Sequence, residues 1–390
     1  MRIALDWQIS SWFGWGVYGL NLALEWAHDP EIEASGEIRN LEDIVITDKD
    51  GRVVIDEVTG KIKIEKASIV VDRMRRRALI PFVQRSLKHV PPEAVLIQNL
   101  GNELRSHHDR KPGGIGAIFF EQPLSAEAVE KAKRYDVIVA GSTWNAEVLK
   151  GHCLDNVVTI FQGVDRSLFH PAPKRGLYPG RFLIFSGGKA EPRKGQDLVA
   201  KAFRVFAERH KDAMLVTAWH SPWPELRNGM DLDFSDLADR VIDVGAVPNG
   251  QMAPIYRECN VALFPNRAEG GTNLVAMECI ACGVPTIVSR NTGHRDLDIP
   301  GTLFLEYQRP PAGQWTEWGE SSVAEIVTAL EVAYRNSYPR IRAMKHYDPL
   351  DGRFLWEDAA SELAAIAKQH QPRTHHVEGR KDRHVEHHAV

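Results

Sequence analysis

Short, nearly uninterrupted apolar runs recur along the chain. They are Ile3-Ala-Leu5, Ala94-Val-Leu-Ile97, Ala117-Ile-Phe-Phe120, Val137-Ile-Val-Ala140, Arg181-Phe-Leu-Ile-Phe185, Met214-Leu-Val-Thr217, Val261-Ala-Leu-Phe264 and Thr286-Ile-Val-Ser289. Between them lie stretches whose apolar residues return at helical spacing, such as Ala126 to Arg134 and Leu198 to His210. Runs without polar alternation suit strands buried on both faces. The pattern therefore predicts an α/β protein with parallel sheets covered by helices. Ligands of such sheets gather beyond the carboxyl ends of the strands, so the loops that follow these runs are where chemistry is expected.

Two of those loops carry it. After Val261–Phe264 comes Glu269-Gly-Gly-Thr-Asn-Leu-Val-Ala-Met-Glu278, then Cys279-Ile-Ala-Cys-Gly283-Val-Pro285. This reads as strand, glycine loop with one carboxylate, and helix with a second. Glycines let a ligand approach the backbone, and free N–H groups at a helix start favour phosphate. The carboxylates can accept hydrogen bonds from sugar hydroxyls and from the paired hydroxyls of a ribose. After Arg181–Phe185 comes Ser186-Gly-Gly-Lys189-Ala-Glu-Pro-Arg193-Lys194-Gly195, in which three cations follow a glycine pair. Together the two loops point to a nucleotide-sugar.

These segments resemble the signature of retaining glycosyltransferase family 4, and Glu278-Cys-Ile-Ala-Cys-Gly-Val-Pro285 matches its second half closely. Weaker matches follow in the same order. Gln162-Gly-Val-Asp165 with Phe169-His-Pro171 resembles the interdomain connector, and Val244-Gly-Ala-Val247-Pro248 the base-holding loop. Phe13-Gly14-Trp15-Gly16-Val17-Tyr18-Gly19, ahead of a helix Leu20–Trp26, resembles the loop under the donor phosphates. The resemblance implies the GT-B fold, two Rossmann-like domains with parallel sheets facing across a cleft. Residues 1–172 would form the acceptor-side domain and 173–352 the donor domain, with a helix at about 353–370 crossing back and 371–390 a disordered tail. It implies transfer of a sugar from a nucleotide-diphosphate sugar to a glycan, lipid-linked or small-molecule hydroxyl, with retention and without a metal or cofactor. Lys194 would clamp the diphosphate, with Lys189 where arginine is usual and Arg193 able to supply the missing planar fork. Gly188, Gly270, Gly271, Thr272, Asn273, Leu274, Glu278, Val247, Gly14 and Gly16 complete the expected donor site.

The sequence departs from the family in two places. Glu269 and Glu278 are one residue further apart than usual, so either Glu269 serves through a longer loop or Gly270 takes its place; the first is preferred. Where a histidine is common, the strand Ala117–Phe120 ends in Glu121. Glu121 is a candidate catalytic base or sugar ligand, or else a plain helix-entry residue ahead of the N-cap Ser125. His107, His108 and His294 are rival polar candidates, and His107 joins Trp15, Tyr18 and Trp144 as expected acceptor-side residues. Trp7 and Trp12 suit either sugar stacking or the core. Residues 40–70 read as a charged β-hairpin turning at Asp48–Gly51. The basic and apolar residues of 73–88 suit either docking on an anionic membrane or a solvated helix packed on the sheet. A GT-B sugar phosphorylase or trehalose-synthase-like enzyme, and a non-catalytic nucleotide-sugar-binding homologue, remain as alternatives.

Composition narrows the field. The 390 residues suggest two domains, and a net charge of −4 gives no overall basic field for nucleic acid. No apolar run approaches a membrane span, and the N-terminus reads as a strand rather than a signal peptide. Four cysteines suit a reducing compartment. The expected location is cytoplasmic, with peripheral contact at the inner face of the membrane. Cys279 and Cys282 read as small helix residues rather than zinc ligands, and the His-rich stretch after Gln371 as a solvated tail.

Overall fold

The computed structural model describes residues 1–38, 44–47, 68–88, 93–106, 108, 110–220, 230–311, 317–336 and 348–371. The first half contributes strands β1 (Arg2–Gln8), β2 (Glu33–Glu37), β3 (Ile44–Thr47), β4 (Ile69–Asp72), β5 (Val95–Leu100), β6 (Ile115–Ile118), β7 (Val137–Ala140) and β8 (Val157–Thr159). Helices α1 (Gly14–Trp26), α2 (Arg73–Ser86), α3 (Ala126–Ala132) and α4 (Thr143–Gly151) connect them. Six of these strands form one parallel sheet in the order β2-β1-β5-β6-β7-β8. The unbroken apolar runs are buried on both faces, as in β6, where all four residues are buried.

The second half repeats the plan with β9 (Phe182–Lys189), β10 (Ala213–His220), β11 (Val241–Asp243), β12 (Val261–Phe264), β13 (Thr286–Ser289) and β14 (Thr302–Leu305). Helices α5 (Gln196–Arg209), α6 (Ala253–Glu258), α7 (Leu274–Ala281) and α8 (Val323–Asn336) pack around them, and a short antiparallel pair, β15 (Gln308–Arg309) and β16 (Glu320–Ser321), follows β14. The sheet order is β11-β10-β9-β12-β13-β14, all parallel. The order reverses between β9 and β12, the switch point at which open α/β sheets bind ligands. Helix α9 (Trp356–Gln369) then joins the first core through Trp356, Ala360 and Leu363. The Trp26 indole donates to the Ala360 carbonyl at 3.0 Å. Beside this crossing the Val164 N–H donates to the Phe354 carbonyl at 2.9 Å.

Two expectations change. The glycines of Phe13–Gly19 lie in α1, which begins at Gly14, rather than in a loop. Their absent side chains let the helix seat on β1 and the turn after it; a Cβ at Gly16 would sit 2.4 Å from Ser10 Cβ. Tyr18 is consequently a core residue, 1% exposed and stacked on Trp7 at 5.8 Å, and neither ring is free to meet an acceptor. The hairpin turn at 48–51 and the histidines beyond 371 lie outside the described residues, and β3 pairs in parallel with β4. Segment 73–88 is a helix through Ser86, with Leu79, Phe82 and Val83 buried beneath it.

Candidate active site

The loops after β9 and β12 meet at the switch point. Past β9 the chain makes one turn of 3₁₀ helix, Pro192–Lys194, before α5. That turn is tied to the next loop by backbone: the N–H groups of Arg267 and Ala268 both donate to the Arg193 carbonyl, at 2.7 and 3.3 Å. The Arg267 side chain adds a second tie, reaching Asp197 with two bonds of 2.8 Å, the Pro192 carbonyl at 2.7 Å and Glu320 at 2.9 Å. The cationic turn and the glutamate loop therefore behave as one rigid unit.

On that unit the charges converge. Lys194 Nζ lies 2.5 Å from Glu269 Oε2, which also accepts from Asn266 Nδ2 at 2.8 Å. The Arg193 guanidinium touches three carboxylates: Glu191 at 2.8 Å, Glu121 at 3.2 Å and Glu269 at 3.5 Å. Its Nη1 is buried and, beyond that loose 3.5 Å approach, has no hydrogen-bond partner among the described residues. Burial alone would raise the Glu269 carboxyl, but Lys194 and Arg193 hold it down at about 2. Burial lowers the Lys194 ammonium in spite of Glu269. Burial also raises Glu121, and Arg193 only partly opposes it. The site holds one firmly ionised carboxylate and one that takes up a proton readily.

The remaining expected donor residues flank this cluster. Gly188 precedes Lys189, whose ammonium is 3.5 Å from Glu191 at the more exposed rim. Gly270 and Gly271 pack against the end of β6: a Cβ at Gly270 would stand 2.4 Å from the Phe119 carbonyl oxygen, so only glycine fits there. Thr272 is buried, with its hydroxyl on Met277 Sδ. Asn273 takes φ +65°, caps α7 through Ala276 N–H, and meets the buried His294 Nε2 at 3.0 Å. Leu274 opens α7. Burial depresses the His294 imidazole to about 4, so it is neutral at ordinary pH. Glu278 stands apart, accepting from Asn249 Nδ2 at 2.5 Å and Tyr256 Oη at 2.9 Å, and Val247 is partly buried against the apolar core of this domain. Burial pushes its carboxyl up to about 8, although those two bonds oppose it.

The first domain closes over the unit. Trp318 Nε1 donates to the Glu121 carbonyl at 2.6 Å, and the Asn145 amide holds the neighbouring Phe120 carbonyl at 2.9 Å. Trp15 lies edge-on to Phe119 at 4.8 Å, and Trp144 packs on Phe120 at 5.5 Å. Both are half-buried supports of the strand end that carries Glu121. His107 lies outside the described residues, and His108 is at the surface, 3.5 Å from Glu37. Cys279 and Cys282 are buried side by side with the apolar core of the second domain. Sequence reading passed over Glu191, Asn266, Arg267 and Trp318. Glu191 stands within Lys-Ala-Glu-Pro-Arg-Lys, where a lone carboxylate among cations was a usable signal.

Residues 180–310, a stretch that holds both loops of the switch point, match the family model described as glycosyl transferases group 1. Among curated relatives, the D-inositol 3-phosphate glycosyltransferase of Segniliparus rotundus is 26% identical over 52% of this chain and 44% of its own length. The phosphatidyl-myo-inositol mannosyltransferase of Mycobacterium leprae is 25% identical over 57% of this chain and 55% of its own. The chain thus spans about half the length of the curated relatives it matches. Among solved structures, a sucrose-phosphate synthase from Thermosynechococcus elongatus superposes with a TM-score of 0.63 at 18% identity, covering 95% of this chain and 98% of that one. The α,α-trehalose 6-phosphate synthase of Burkholderia multivorans gives 0.57 at 13%, covering 95% and 98%. Two parallel six-stranded sheets with these neighbours make the architecture GT-B, an α/β fold of two Rossmann-like domains.

Proposed function

We propose that this protein is a retaining glycosyltransferase that moves a sugar from a nucleoside-diphosphate sugar to an acceptor hydroxyl without a metal ion. The observation that carries this reading is the pairing of Lys194 and Arg193 with Glu269 at the β9/β12 switch point, facing Glu121 of the other domain. Two fixed cations beside a glycine loop suit a diphosphate, whose charge grows as the sugar–phosphate bond breaks. When phosphate takes the cations, Glu269 is left ionised and free to accept from the sugar hydroxyls. Glu278, within α7 and held by Asn249 and Tyr256, would take the ribose hydroxyls in place of one of those partners. Glu121 is suited to take a proton or to bind the sugar.

The relatives' names point to an inositol-bearing acceptor, carried in some of them on a phosphatidyl lipid. Helix α2 carries exposed Arg73, Met74 and Arg77 at the rim of the interdomain groove, a basic surface that suits peripheral contact with an anionic membrane at its cytoplasmic face.

The test is a thermal-shift screen against UDP-, GDP-, ADP- and dTDP-sugars, repeated with Lys194→Ala and Glu278→Ala. A rise with one nucleotide class, lost in both variants, is expected. Turnover that persists in a chelator, with the donor's anomeric configuration kept in the product by NMR, completes it. No shift with any nucleotide would count against the donor site. Release of sugar 1-phosphate would favour a phosphorylase, and binding without turnover a non-catalytic homologue.

A further inference from the structure

A second cavity, of about 1650 Å³, lies between the domains away from the Arg193–Glu269 cluster. Its walls are α1 and α2 on one side and α6 with residues 164–170 on the other, and the start of α9 lies between them. None of Glu121, Arg193, Lys194 or Glu269 lines it, and Asn249, the partner of Glu278, borders both the cavity and the proposed ribose site. Its volume exceeds the range of roughly 300–1,000 Å³ usual for small-ligand pockets, so it has room for an extended ligand.

Its charge is uneven. Six arginines reach it: Arg73, Arg75, Arg77, Arg166, Arg175 and Arg257. Arg75 is neutralised by Asp72 and Asp165, and Arg166 by Asp348 at 2.9 Å. The side chains of the other four have no carboxylate partner among the described residues, although the Arg175 backbone N–H donates to Glu258. Arg257 is the most telling. Its Nε donates to the His170 carbonyl at 2.9 Å and its Nη2 to the Leu168 carbonyl at 2.7 Å. Carbonyl oxygens fix the plane of the guanidinium without cancelling its charge, which leaves a pre-oriented cation in a partly buried wall. Glu25 and Glu357 are the carboxylates left over, and both belong to the helices α1 and α9. Uncompensated arginines thus face the cavity from both domains, Arg73 and Arg77 from the first, Arg175 and Arg257 from the second. Planar forks on opposite walls suit a ligand with phosphate at both ends.

We infer that this hinge-side cavity is a second binding site, for a ligand bearing two phosphate esters and bridging α2 to α6. The inference stands independently of the proposed transfer reaction. A bridge between the walls would also brace the two domains against opening. A soluble bisphosphate and a lipid headgroup that carries two phosphates, such as that of cardiolipin, offer the same chemistry, and the test separates them.

Calorimetric titration of the whole chain carrying Lys194→Ala, which disables the proposed diphosphate clamp, would use fructose 1,6-bisphosphate as the soluble probe. Sedimentation with vesicles of cardiolipin and phosphatidylcholine forms the lipid arm. Saturable bisphosphate binding, weakened at least tenfold by Arg73→Gln with Arg77→Gln and again by Arg175→Gln, is expected. These three side chains are exposed, so their loss leaves the fold intact. Vesicle binding lost in the same variants, without bisphosphate binding, assigns the phosphate to a headgroup. Binding to neither, or binding of equal strength in all variants, overturns the site. Failure of the nucleotide screen with success here would sink the transferase reading alone.

Discussion

At the residue scale, Lys194 and Glu269 set the chemistry through opposite responses to the same burial. The ammonium is pushed toward neutrality by desolvation and the carboxylate is held ionised by its two cations. A lysine already stripped of water gives more to an arriving phosphate than a solvated one, because its desolvation cost is met by the fold. Lys194→Ala should therefore lower kcat by roughly 10²–10³, the scale of losing one preorganised charge-stabilising donor. Lys194→Arg should not restore it, since the planar fork cannot take a point charge's position. Steady-state kinetics on the donor identified by the screen checks both. Glu278 makes a pH prediction. Its folded value of about 8 lies above that of a free carboxyl, so the folded state keeps a proton that the unfolded chain releases. Its contribution to stability is complete below about pH 4.5, falls as pH rises, and is lost above about pH 8. Melting temperature followed from pH 5 to 9 should show that decline, and Glu278→Gln, which cannot ionise and keeps one acceptor oxygen for Tyr256 or Asn249, should flatten it.

At the element scale, the apolar runs were enough to place the strands, because a parallel strand buried on both faces leaves no polar alternation to misread. Val137–Ala140 and Thr286–Ser289 fall where the runs do. The glycine-rich segment at 13–19 misled for a physical reason. Glycine marks close backbone approach, and approach to a ligand looks the same in sequence as approach of a helix to its own sheet. The carboxylates and cations of the switch point were legible because motif and strand end coincide. Arg267 was not, since an arginine's partners 70 and 53 residues away leave no local trace. Its loss should nevertheless be severe. Removing one partner of a buried ion pair costs roughly 3–5 kcal/mol. Arg267→Met should shift the urea midpoint accordingly. Adding Asp197→Leu should recover part of that stability without recovering donor affinity, because the Pro192–Lys194 turn still lacks its tie. Recovery of both would show that Arg267 supports the fold and does nothing for the site.

At the scale of the whole molecule, the two sheets keep separate cores and meet through the packing of Gly270 and Gly271 on Phe119, of Leu274 on the first core, and a set of polar contacts. The Ser142 hydroxyl donates to the Gly270 carbonyl at 2.7 Å, the Asn249 N–H to the Ser11 carbonyl at 2.7 Å, and Arg295 pairs with Glu147 at 2.5 Å. The contact that most resembles a latch is Asp296, whose Oδ2 accepts from the Thr143 N–H at 2.9 Å, at the first turn of α4. A carboxylate of the second domain thus caps a helix of the first, where the helix dipole favours it. Losing such a cap costs about 1 kcal/mol, which moves an open–closed equilibrium about fivefold. Asp296→Ala should therefore leave the melting of each domain nearly unchanged while raising the radius of gyration in small-angle scattering. A nucleotide-sugar bound between Lys194 and Glu121 would restore the compact form, because it supplies the interdomain contact that the variant lost. If the variant scatters like the wild type with and without donor, closure is governed by the Gly270–Phe119 packing and the α9 crossing, and the polar contacts merely follow it.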